Sequence, residues 1–103
     1  MLNAARVALS HVGRMSKDDF REDIKTQDAV LRRLAILGEA GRRVSDDFKR
    51  GHPEVDWSGA IRARDKVTHG YDVVNLDRIW EIIQDDLPGL IRLLEPLVSE
   101  EPQ

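Results

Sequence analysis

From Val30 to Phe48 the residues Val30, Leu34, Leu37, Gly41, Val44 and Phe48 follow one another at steps of four and three. That is the repeat of one face of an α-helix, not the alternation of a strand. A second run keeps the same period near the C-terminus: Leu76, Ile79, Trp80, Ile83, Leu87, Leu90, Ile91, Leu94 and Leu97. No strand-like run of Val, Ile and Thr accompanies them. The two stripes confine the chain to an all-α fold whose core they build.

Start and stop residues divide the chain into four to five expected helices. Leu2, Ala5, Leu9 and Val12 share a face, and Gly13 ends that helix. Ser16 suits an N-cap, with Asp18 and Asp19 in the first turn, and opens a short helical turn around Phe20. A long helix is expected over Asp23–Arg50, stopped by Gly51-His52-Pro53. Asp56 caps the next, which starts at Trp57 and ends near His69 or Gly70. Asn75 caps the last, and Pro88 should kink it by removing a bond to Gln84. Gly38 and Gly41 inside the long helix point either to close approach of another backbone, as across a dimer interface, or to a mild kink. Residues 1–99 read as one domain, followed by a frayed tail, 100–103.

A 103-residue domain buries a modest fraction of its surface, so pairing with a second chain is expected on size alone. The absence of cysteine removes disulfides and thiolate metal sites and fits a reducing cytoplasm. No apolar window reaches membrane-spanning length, and the N-terminus is too short and interrupted for a signal peptide, so no membrane association is expected. The net charge of −3 argues against a general nucleic-acid coat. Its distribution is uneven: residues 72–103 hold eight acids against two bases, which leaves the part up to residue 71 basic. That part could face a polyanion.

The chemistry is concentrated at one place. Within ten residues stand Arg62, Arg64, Asp65, Lys66, His69 and Tyr71. Such groups suit metal-independent RNA cleavage. The 2′-hydroxyl must lose a proton, the 5′-oxygen must gain one, and the phosphorane between them gathers negative charge. Histidine serves proton transfer near neutrality, and arginine holds phosphoryl oxygens through a planar fork. On a continuous helix Arg64 and His69 would stand roughly 140° apart. Either the helix breaks before His69 or a second chain completes the pair. Asp65 is four residues from His69 and could orient its ring on a helix. A solvated helix face with local ion pairs is the plainer reading of the same residues.

The segment Arg64-Asp65-Lys66-Val67-Thr68-His69 fits the R-x(4–6)-H motif of the HEPN superfamily, and with Tyr71 it becomes R-x4-H-x-Y, the form of the HepT-like toxins. Gln27-Asp28-Ala29-Val30, Leu37-Gly38-Glu39-Ala40, His52-Pro53-Glu54-Val55-Asp56-Trp57 and Ile79-Trp80-Glu81-Ile82-Ile83 with Asp86-Leu87-Pro88 resemble the same family, in family order. The resemblance implies an up-and-down helical bundle that dimerises through the motif face. It implies an endoribonuclease toxin with Arg64 and His69 as catalytic residues, supported by Asp65 and Arg62. It implies a partner as well: a minimal nucleotidyltransferase antitoxin of the MntA kind, which transfers AMP to the residue matched by Tyr71. Arg62 also fits the motif with six intervening residues; Arg64 is preferred because Asp65 follows it. The alternative from another class is a non-catalytic helical partner of the transferase, and a third is a plain dimerisation scaffold.

Other residues carry less. Glu39 either orients the site or forms a surface or interface salt bridge. His52 reads as structural and His11 as a surface residue, and Trp57 and Trp80 read as core or interface anchors. The histidines lack metal-ligand spacing and no Gly-rich phosphate loop occurs, so no metal or cofactor is expected.

Overall fold

The computed structural model describes residues 1–69 and 73–98. Helices α1 (Leu2–Val12), α2 (Lys17–Glu22), α3 (Ile24–Arg43), α4 (Asp46–Gly51), α5 (Trp57–Ile61) and α6 (Ala63–Val67) come first. A pair of two-residue strands follows, β1 (Thr68–His69) and β2 (Val73–Val74), then α7 (Leu76–Glu81), a π-helical turn (Ile82–Asp86) and α8 (Leu87–Val98). The all-α expectation holds.

The expected caps form. Ser16 accepts from Asp19 N at 3.1 Å, Asp56 from Gly59 N at 2.9 Å, and Asn75 from Arg78 N at 3.0 Å. Two expected helices are nevertheless cut. The long one stops at Arg43, because Val44 is extended and Ser45 starts a new helix by accepting from Phe48 N at 3.1 Å. Ser45-Asp46-Asp47 is a strong N-terminus, with a capping hydroxyl and two acids in the first turn. The unbroken apolar period concealed it. The helix from Trp57 is interrupted at Arg62, whose φ and ψ are −101° and 10°.

Burial follows the stripes. Ala4, Ala5, Ala8 and Val12 of α1 meet Val30, Leu34 and Leu37 of α3, and the small alanines allow close packing. Phe20, Val67, Ile79, Ile82, Ile83 and Leu87 complete this core. The Phe20 ring lies 5.5 Å from Trp80, centroid to centroid. Val55, Trp57, Leu94 and Leu97 form a second cluster against Val44 and Phe48. The indole of Trp57 donates to the His52 carbonyl at 3.0 Å, and the His52 ring packs on Phe48 at 4.6 Å. His52 and both tryptophans are thus structural, and His11 is exposed.

Pro88 is accommodated one turn upstream. The Leu87 amide donates to the Ile82 carbonyl, five residues back, so the helix widens into a π turn just before the residue that has no amide hydrogen. At the other end of this segment Asp77 receives Arg21 at 2.8 Å and Lys17 at 3.1 Å, tying α7 to α2. The Lys17 ammonium first, then Arg21, holds the Asp77 carboxyl below its ordinary 3.8. With a lowered folded value, this tie contributes above the ordinary carboxylate range and is lost as pH falls through the lowered value. Among the described residues, no helix is long and apolar enough to cross a membrane.

Candidate active site

The motif segment is divided between two kinds of backbone. Arg64 and Asp65 stand on α6, while the backbone of His69 belongs to β1, paired with Val73 of β2. Two bonds accompany the end of the helix at Val67. Thr68 Oγ1 donates back to the Arg64 carbonyl at 3.3 Å, and the Asn75 amide takes the Val67 carbonyl at 2.7 Å. Val67 and Thr68 are β-branched and enter extended backbone readily. The helix therefore ends two residues before the earliest expected position. The helix does break before His69, with Arg64 on α6 and the His69 backbone on β1. Asp65 and His69 are not an i, i+4 pair on one helix, because α6 ends between them. Asp65 Oδ1 instead lies 4.0 Å from Arg64 Nη1. Tyr71 lies outside the described residues.

Arg64 opens onto a groove of about 460 Å³ between α3 and the α5–α6 segment. Leu31, Ala35 and Ile61 give it an apolar floor, and Arg32, Glu39, Arg42, Arg64 and Asp65 supply its charges. Arg62 stands exposed at the helix junction and is not part of this lining. Glu39 forms the expected surface salt bridge, to Arg42 at 3.0 Å, and lines the same groove as Arg64. Arg32 and Arg42 belong to no motif of the sequence. Their signal was a second stripe on α3, residues 32, 35, 39 and 42, spaced by three and four beside the apolar seam. Among the described residues no His, Asp or Glu cluster of three or more has a metal-binding arrangement.

The floor of the groove depends on glycine. A Cβ at Gly38 would stand 2.6 Å from the Ile61 carbonyl oxygen, and one at Gly41 would stand 2.8 Å from Ile61 Cγ1. The close backbone approach is real at Gly38, where its partner is α5 of the same chain, whereas Gly41 makes room for the Ile61 side chain. Gly38 thereby fixes the backbone three residues before Arg64. Helix propensity alone would make Gly38→Ala stabilising by up to ~1 kcal/mol. The backbone clash reverses the sign, and a net loss of about 1–3 kcal/mol is expected in chemical denaturation. A more stable Gly38→Ala variant would contradict this packing.

Comparison with known proteins gives a family. The description "ribonuclease HepT-like" matches over residues 1–97, nearly the whole chain. The chain belongs to the HepT-like ribonuclease family. As a member it is an RNA-cleaving enzyme. It is 44% identical over 80 residues to a Thermococcus cleftensis protein named probable ribonuclease HepT, covering 78% of this chain and 73% of the relative. It is 38% identical over 86 residues to a Methanocaldococcus jannaschii protein named as a candidate RNase, covering 84% and 71%. A Caldanaerobacter subterraneus protein, also named as a candidate RNase, is 31% identical over 101 residues, covering 98% and 90%. No solved structure matches the chain. The HepT-like match extends well past the ten motif residues, so it covers the helices that form the groove as well as Arg64 itself.

Proposed function

We propose that this HepT-like chain is a metal-independent endoribonuclease in which Arg64 and His69 act on one phosphodiester. The observation that carries the reading is the end of α6 at Val67, with Arg64 on an open, arginine-rich groove and the motif histidine on a separate short strand. In this mechanism the ribose 2′-oxygen loses its proton and bonds to phosphorus. The bond from phosphorus to the 5′-oxygen breaks, and that oxygen takes up a proton. His69 is the proton-transfer group, and Arg64 neutralises the phosphorane through its guanidinium fork. Arg62, exposed at the α5–α6 junction, adds positive charge nearby. Asp65 restrains Arg64 by their weak pair. Two copies bring their motif faces together, so that the strand is cut in a shared cleft. Direct analysis of the RNA ends tests the chemistry. A 2′,3′-cyclic phosphate and a 5′-hydroxyl are expected, and a 5′-phosphate product contradicts the mechanism.

The same reading makes the chain the toxin of a toxin–antitoxin pair, with an MntA-like nucleotidyltransferase as antitoxin. Tyr71, two residues from His69, is the site to which AMP is transferred. An added AMP brings bulk and negative charge beside the cation that must receive RNA, which blocks the cleft. Intact-mass measurement after incubation with the cognate transferase and ATP is expected to show added AMP on the wild type and none on Tyr71→Phe. An adduct of the same size on Tyr71→Phe overturns the assignment.

A further inference from the structure

We propose that Arg32 on α3 binds the RNA backbone phosphate next to the one held by Arg64, so that the α3–α6 groove is the track on which the strand lies. This rests on the reading of Arg64 as the phosphate-holding residue. Arg32, Arg42 and Arg64 all line this groove. Two of them have an acidic neighbour: Arg42 is bonded to Glu39 at 3.0 Å, and Arg64 has Asp65 at 4.0 Å. Arg32 has no ion-pair partner among the described residues and is exposed. It is thus the lining cation whose charge is left for a ligand.

The rest of the lining says which ligand. The floor is formed by the short aliphatic surfaces of Leu31, Ala35 and Ile61, and no aromatic ring stands among the described residues of the lining. A groove with arginines at its sides and no stacking platform recognises phosphates, not base identity. Arg32 also stands about 1.7 turns from Gly38, on the helix packed against the backbone that leads to Arg64. The two arginines thus line one groove from helices that pack against each other, a placement suited to binding neighbouring phosphates.

The test measures binding of a 2′-O-methylated RNA, which cannot be cut, to the full-length protein over a series of salt concentrations. Removing one phosphate contact on a single strand should reduce the slope of log K against log salt by about 0.7. Arg32→Ala is expected to show that smaller slope and about tenfold weaker binding. With cleavable RNA, the loss should fall on KM more than on kcat. Arg32→Lys should keep the wild-type slope, because the charge remains. An unchanged slope and affinity in Arg32→Ala overturns the proposal. So does a change in its sedimentation from that of the wild type, which would make Arg32 a contact between protein chains. These outcomes do not depend on catalysis. Continued cleavage by Arg64→Ala would instead remove the catalytic reading on which the register of the strand depends.

Discussion

His69→Ala is expected to slow RNA cleavage by about 10²–10⁴-fold, the usual contribution of a positioned acid–base group. Arg64→Ala should cost about 10²–10³-fold, as does loss of one donor that stabilises charge in a transition state. The two losses differ in kind. His69→Gln keeps a polar side chain and remains inactive, because the amide cannot exchange a proton near neutrality. Arg64→Lys keeps the charge but not the fork, so part of the rate returns. Arg64→Ala should not lower the melting temperature appreciably. Among the described residues Arg64 has an exposed side chain with a single weak pair, and surface pairs of this kind contribute little to folding. Loss of cleavage with unchanged melting, followed by thermal unfolding monitored by circular dichroism, separates chemistry from stability.

The largest effect on the fold is expected at Phe20. Its side chain is fully buried where α2, α3 and α7 meet, and its ring packs on Trp80. Gln27 Nε2 donates to the Phe20 carbonyl at 2.8 Å, so the turn that carries the ring is itself fixed. Phe20→Ala removes this volume from a small core and should cost about 3–5 kcal/mol. Domains of this kind have only about 5–15 kcal/mol in total. At roughly 4 °C or more of melting temperature per kcal/mol for a domain near 100 residues, the transition should fall by at least about 12 °C. A fall of only a few degrees would mean that the α2 turn is not part of the core.

The helical character was legible because Val30, Leu34 and Leu37, and later Ile79, Ile83 and Leu87, repeat at helical spacing and are all buried. The caps at Ser16, Asp56 and Asn75 were legible because capping side chains act on amides three residues away, a purely local effect. The break at Val44 was not, since an apolar residue at the right period hides a change of backbone direction that Ser45 and two acids impose. Gly38 and Gly41 announced a close approach, yet not its partner, because contact between residues 38 and 61 is tertiary. The candidate site was legible in its residues and only partly in its geometry. The motif gave Arg64 and His69, and the helix break between them was one of two solutions that geometry allowed. Arg32 and Arg42 carry no motif; only the packing of α3 beside α6 brings them to Arg64.

The central claim is that Arg64 and His69 cut RNA without a metal. Single-turnover cleavage of RNA in EDTA by the wild type, Arg64→Ala and His69→Ala tests it directly. The account predicts cleavage by the wild type and a rate at least about hundredfold lower in each variant. Equal cleavage by all three proteins, or a wild type that EDTA silences, would contradict it.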